Sequence, residues 1–290
     1  MGDGEPESAV PVARARTGVG VHLAILAISL LWMAPTVGLL VSSFRPPALI
    51  SRTGWWTAFQ PPFVFTLENY QHVLTANNMA ESFVNSLFVS IPATVIPIFI
   101  AALAAYAFAW MEFPGRAPLF TIVVGLLVVP LQMTLIPVLH LFTSFGLTGT
   151  FAAIWLAHTG YGLPFAIYLL RNFFGALPRA MFEAAATDGA SPLDIFFRLV
   201  LPTSAPALAS LATFQFLWVW NDLLVALVYL GGSPEVAPMT VTVSNLVNSL
   251  GQNWQLLTAA AFTSMVVPLA LFFSLQQYFV RGILAGSVKG

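Results

Sequence analysis

The 290-residue sequence predicts an all-α membrane protein with six transmembrane helices, and three observations carry that reading. Hydrophobic residues make up 58% of the chain and charged residues 7%, where a soluble domain carries about a quarter charged residues. Apolar blocks long enough to cross a ~30 Å hydrocarbon core, about 20 residues of helix each, recur six times. Lys and Arg also alternate between connections, rich on one set and poor on the other.

Residues 1–18, with Asp3, Glu5, Glu7 and several small residues, read as a disordered tail. The first span, 19–41, follows Arg14 and Arg16 and has 23 residues, beyond the roughly 7–15 of a cleavable signal core, so it reads as a retained helix. Segment 44–82, with Trp55, Trp56 and several prolines, reads as a connection with an interfacial aromatic belt. The next spans are 83–111, 119–141 and 151–170, joined by the 112–118 loop and a short turn at 145–150. A polar segment, 172–204, precedes the fifth span at 205–230, and the connection 231–255 leads to the sixth at 257–280.

Of the ten basic residues, Arg14, Arg16, Arg116, Arg171, Arg179, Arg198, Arg281 and Lys289 fall on one face and only Arg45 and Arg52 on the other. The positive-inside rule then places both termini, the 112–118 loop and the 172–204 segment in the cytoplasm. Prolines at 35, 92, 97, 130, 137, 164 and 268 fall within spans, where each removes a backbone donor and favours a kink.

The 172–204 segment is closely specified. Pro178 suits the first turn of a helix, Met181 to Ala186 continue it with good helix formers, and Gly189 supplies the left-handed position that ends it. Ser191, Pro192 and Asp194 then read as an N-cap, a first-turn proline and a capping-box acid. The second helix gains an Asp194–Arg198 pair and is expected to stop at Leu201, because Pro202 disfavours helix in the residue before it. The slender surface at Ala184 to Ala186 admits a close partner, while Phe182, Phe196 and Phe197 are the expected anchors to neighbouring helices. This is a docking element.

The pattern Glu183-Ala184-Ala185, Asp188-Gly189-Ala190 and later Leu201-Pro202 with Pro206 resembles the EAA signature of permease subunits of bacterial ABC importers. Trp218-Val219-Trp220-Asn221-Asp222 and the ending from Gln277 resemble the second permease subunit of the carbohydrate-uptake, maltose-type subfamily. The resemblance spans nearly the whole chain and leaves out only the tail. It implies a type I importer permease fold in the inner membrane, with Glu183, Ala184, Ala185, Asp188 and Gly189 docking a separate ATPase. It also implies the partners: a second permease subunit, two ATP-binding subunits and an extracytoplasmic sugar-binding protein, in a lipid bilayer. The implied function is half of the translocation pathway of an ATP-driven sugar importer.

Catalytic signatures are missing from the sequence. It has no G-x-x-x-x-G-K-[ST], H-E-x-x-H or G-x-S-x-G motif, Lys289 is its only lysine, and cysteine is absent. No catalytic residue, metal site or cofactor is therefore expected; ATP and Mg belong to the partner ATPase. The four histidines are scattered, and the net charge of -1 with no long basic run offers no nucleic-acid surface.

Asp222 is the one carboxylate well inside an expected span, where an acid costs about 2.5–3.5 kcal/mol on insertion scales. Two readings of it stand open. With Trp218 and Asn221 it lines a sugar pathway, or it makes a structural bond to an adjacent helix. Gln132, His140, His158 and Gln215 read as interhelical hydrogen-bonding residues, and Tyr278 and Arg281 as ATPase contacts or interfacial anchors. Two alternatives remain: a permease of the same kind for another solute, and a transporter or channel that works alone.

Overall fold

The computed structural model describes residues 18–76, 78–246 and 253–287, with backbone alone at 76 and over 277–287. The expected tail, 1–18, lies outside them apart from Gly18, as do the side chains of Tyr278 and Arg281 and all of Lys289. The described residues are helical, with no strand among them.

Helix α1 spans Val19–Ser43 and runs through Pro35. It leans on the last helix and on a short turn at Trp55–Phe59, and most of its side chains are exposed. Trp55 sits against Gly38, where a Cβ would come within 2.7 Å of the indole nitrogen. The connection 44–78 holds short helices α2 (Pro47–Ile50) and α3 (Glu68–Ala76), pinned by buried groups. Arg45 donates to Gly54 O at 2.9 Å and Thr53 Oγ1 at 2.7 Å, and the Asn69 amide donates to the carbonyls of Ser43 and Arg45.

Helix α4 (Met79–Trp110) and helix α7 (Phe151–Gly175) form the closest pair. Ala93, Ala101, Ala102 and Ala105 on the first and Ala153, Ala157 and Ala166 on the second are buried. Small residues let backbones approach where lipid offers no hydrophobic drive to associate. α4 begins four residues before the expected span and runs without interruption through Pro92 and Pro97, as α7 does through Pro164.

The third expected span, 119–141, is not one helix. α5 (Arg116–Gly125) tightens into a 3-10 turn at Leu126–Val128, then α6 (Leu131–Ser144) leaves at 103° to it. Pro130 is the cause: it forces the preceding Val129 to extended geometry, φ -73° and ψ 115°, and cannot donate to the turn before it. The other six in-span prolines lie inside uninterrupted helices.

Helix α8 (Arg179–Thr187) opens the polar segment. α9 (Pro192–Ile195), a π turn at Phe196–Val200 and α10 (Leu201–Thr203) follow as one continuous run. The expected stop at Leu201 is therefore incorrect: Leu201 is helical at φ -61° and ψ -49°. The wide turn resolves the conflict, since the Leu201 amide reaches back five residues to Phe196 O and the chain accommodates a proline without a break.

The fifth expected span, 205–230, is also divided. α11 (Ala205–Trp220) stops at Asn221, and α12 (Leu224–Leu230) restarts after Leu223. α13 (Met239–Asn245) leads to α14 (Trp254–Ser287), which starts three residues before the expected sixth span. Among the described residues, four helices alone, or six with the bent pairs 116–144 and 192–220, are long and apolar enough to cross a membrane.

Candidate functional site

Two regions collect the polar residues that the sequence singles out. The first is the bend after α8. Gly189 has φ +77°, its amide donates to Ala186 O at 3.0 Å, and the Ala190 amide reaches Ala185 O at 3.0 Å. Those two bonds are the paired closure of a helix by a left-handed residue, as the glycine predicts. The next turn is the expected capping box: Asp194 N donates to Ser191 Oγ at 3.2 Å while Ser191 N donates to Asp194 Oδ2 at 3.3 Å. The Ser191 hydroxyl and amide hold the Asp194 carboxyl below the usual carboxylate range, and Arg198 at 3.6 Å adds to the effect.

Phe182 fixes α8 to the bundle. Its ring stacks on Trp110 at the end of α4, with centroids 3.6 Å apart, and the Trp110 indole donates to Phe174 O on α7 at 2.9 Å. Phe196 is fully buried against Tyr106 of α4. Phe197 is not an anchor: it is 49% exposed and, among the described residues, its ring meets only that of Phe196, edge-on. Glu183, Ala184, Asp188 and Gly189 are exposed and Ala185 is half-buried, so the four-residue surface around Ala184 faces outward. A cleft of about 420 Å³ flanks it, with Glu112, Arg116, Arg179 and Glu183 on its walls. Arg116 closes the end of α4 by donating to Met111 O at 3.1 Å and Ala109 O at 3.4 Å, a cation at a helix C-terminus. The sequence marks Arg116 only by its charge and does not mark Trp110; a tryptophan just before a polar loop was the available signal.

The second region is the break between α11 and α12. Asn221 turns its amide back to Leu217 O at 2.7 Å, competing with the helix ladder. Asp222 accepts from the amides of Val225 at 3.4 Å and Ala226 at 3.0 Å and so caps α12, while Thr240 Oγ1 donates to its carbonyl at 2.7 Å. Its Oδ2 is also 3.7 Å from Nε2 of His158, a fully buried residue of α7 whose ring nitrogens have no hydrogen-bond partner among the described residues. Trp218 stands edge-on to that imidazole, centroids 5.1 Å apart, and is 38% exposed. Asn221 is exposed. Gln215 donates to Ala93 O at 3.1 Å between α11 and α4, the interhelical bond expected of it, whereas Gln132 and His140 are exposed on α6.

The structure thus brings Trp218 and Asp222 to one imidazole and leaves Asn221 on its own helix end. Of the side chains nearby, sequence reasoning missed Tyr161, whose hydroxyl bonds that of Tyr229 at 2.7 Å and accepts from Thr134 at 3.1 Å. A tyrosine beside a glycine inside an apolar run was the only sign. Among the described residues, no group of three or more His, Asp or Glu is placed to hold a metal.

Residues 76–284 match the family model of the binding-protein-dependent transport system inner membrane component. The osmoprotective compounds uptake permease protein GgtD of Synechocystis sp. is 63% identical over 93% of this chain and 91% of its own length. The α-glucoside transport system permease protein AglG of Rhizobium meliloti is 44% identical, covering 97% of this chain and 99% of its own. A subunit from the crystal structure of a bacterial ABC transporter that imports the acidic polysaccharide alginate superposes with a TM-score of 0.64 at 17% identity, over 90% of this chain and 96% of that one; the fold is shared.

Proposed function

Because the chain belongs to the binding-protein-dependent transport system inner membrane component family, we propose that it forms one half of the pathway of an ATP-driven importer for a neutral, polyhydroxylated solute of the α-glucoside class. Its partners are a second permease subunit, two ATP-binding subunits and an extracytoplasmic binding protein. The chain itself carries out no catalysis, and ATP with its Mg is bound and hydrolysed by the partner subunits. Both termini and the 172–204 loop lie on the cytoplasmic side of the inner membrane.

The observation that carries this reading is the exposed turn Glu183 to Gly189, closed by a left-handed glycine and rigidly footed on the bundle through Phe182 and Trp110. Closure of the ATP-bound subunits displaces α8. The stack on Trp110 and the burial of Phe196 and Val200 beside α4 and α7 pass that displacement to the helices, so the bundle rocks between two packed arrangements. Glu183, Ala184, Ala185, Asp188 and Gly189 form the docking turn; Trp218, Asn221 and Asp222 stand at the pathway.

The name of one relative supports the solute class, since AglG is a permease of an α-glucoside transport system. A second reading, an osmoprotective compound, is favoured by the name of the 63% identical relative. Competition settles between them: unlabelled α-glucosides should suppress uptake of the labelled solute, and osmolytes without a sugar ring should not. The docking reading is tested with Ala184→Cys in a chain that has no native cysteine. A bifunctional reagent should join that position to the ATPase subunit, and labelling of it from outside intact cells would overturn the assigned side.

A further inference from the structure

A cavity of about 340 Å³ opens between α7 and α11. One wall is Tyr161, Gly162 and Phe165; the other is Phe214, Gln215 and Trp218. Positions 161 and 165, and 214 and 218, are i,i+4 pairs, so each helix presents one face to the space. Tyr161 lies about 15 Å along α7, near the middle of a ~30 Å hydrocarbon core. Phe165, Phe214 and Trp218 remain 46%, 50% and 38% exposed, so the cavity opens on a side that the described residues leave uncovered.

Lipid-facing aromatics need no fixed polar groups beside them, yet these have them. Gln215 is held by its bond to Ala93 O, which commits one of its two NH2 hydrogens and leaves Oε1 as an acceptor. Gly162 makes the room: a Cβ there would lie 2.8 Å from both Nε2 and Oε1 of Gln215. The Tyr161 hydroxyl is set by the chain from Thr134 to Tyr229. Behind Trp218, the fully buried His158 meets the indole edge-on, and Asp222 lies 3.7 Å behind His158. The indole is thereby fixed at the angle its neighbour dictates. An aromatic face with a few fixed hydroxyl-pairing groups, in a volume near the lower end of small-molecule sites, suits a ring that is apolar on its face and polar at its rim.

We propose that this cavity is a subsite for one pyranose-type ring of the transported solute, with Trp218 the stacking platform, Tyr161 and Gln215 the partners of ring hydroxyls, and His158 the positioning residue that sets the indole. The assignment rests on the importer reading above and adds to it the chain's own solute contacts.

The test uses the complete importer in proteoliposomes, measuring solute accumulated per ATP hydrolysed together with ATPase stimulation by the loaded binding protein. The probe is whichever of a panel of radiolabelled α-glucosides the wild type accumulates most. Trp218→Leu keeps the apolar bulk and removes the stacking face; solute per ATP should fall about tenfold, the upper worth of an aromatic contact. Stimulated ATPase should stay within twofold, and Trp218→Phe should recover most of the ratio. Gly162→Ala, which displaces the Gln215 amide, and His158→Ala should lower the ratio in the same direction by about threefold or more, and His158→Gln should recover part of it. An unchanged ratio in Trp218→Leu and Gly162→Ala overturns the subsite, as does a parallel loss of ATPase and uptake in both. If the wild type shows stimulated ATPase but accumulates no α-glucoside, the solute class fails and the subsite fails with it; absence of stimulated ATPase refutes the importer reading itself.

Discussion

Gly189→Val isolates the bend from everything else the docking turn does. The glycine sits at φ +77° with nothing within 4 Å of where a Cβ would be, so the added side chain meets no neighbour and the whole cost is conformational. An L-residue in the left-handed region costs roughly 1–2 kcal/mol, and a β-branched one, stiff at χ1, lies at the upper end. If the backbone relaxes instead, the two 3.0 Å bonds to Ala186 O and Ala185 O are lost, at about 1 kcal/mol each net of exchange with water. Either route lowers the population of the native bend by roughly 5- to 30-fold. Position 189 is outside the spans, so membrane insertion and yield should match the wild type. In proteoliposomes holding the whole importer, solute uptake and stimulated ATPase should both fall several-fold. Asn tolerates the left-handed region, so Gly189→Asn should recover most of the loss. Wild-type uptake by the valine variant would refute the reasoning, and so would equal losses in the valine and asparagine variants.

Three further outcomes follow from the same geometry. Phe182→Ala removes the ring stacked on Trp110; a buried Phe→Ala change costs about 3–5 kcal/mol, so α8 should detach and the ATPase subunit should no longer co-purify in mild detergent, while the span helices stay intact by circular dichroism. Asp222→Ala deletes the acceptor for the amides of Val225 and Ala226, and loss of such a cap should cost about 1 kcal/mol in thermal unfolding, with Asp222→Asn retaining much of it. The Asp194 carboxyl is held below its ordinary range in the folded chain, so its contribution is present above the unfolded carboxylate pKa and disappears as pH falls through the lower folded value. Hydrogen exchange of the amides of 193–201 and 203, corrected for intrinsic rates, should therefore accelerate only in that acid window, and Ser191→Ala should move the onset to higher pH.

Much of this was legible because the relevant signals are local. Four of the six apolar blocks fall on single helices long enough to cross a membrane, Gly189 marks a left-handed end, and Ser191 with Asp194 marks a capping box; each needs only neighbours in sequence. The breaks were harder to see. Pro130 and Pro164 look alike in an apolar run, yet only the former stands at a sharp bend, after a 3-10 turn has already narrowed the helix. Pro202 was expected to end a helix and does not, since a π turn shifts the bonding by one residue ahead of it. At Asn221 and Asp222 each polar side chain first satisfies backbone: one ends α11, the other starts α12. Phe196 and Phe197 are adjacent and identical, so only the position of α4 decides that the first is buried and the second exposed. The meeting of Tyr161 and Gln215 with Trp218 depends on how α7 and α11 pair, which no local pattern encodes.

The most direct test of the account is solute uptake by proteoliposomes that hold this chain with its partner subunits, with binding protein and solute outside and ATP trapped inside or omitted. An α-glucoside should accumulate only when ATP and the ATPase subunits are present, and accumulation by the Ala184→Cys variant should be lost once a bifunctional reagent fixes that cysteine so that α8 cannot move. Equal uptake without ATP, or by this chain alone, would contradict it.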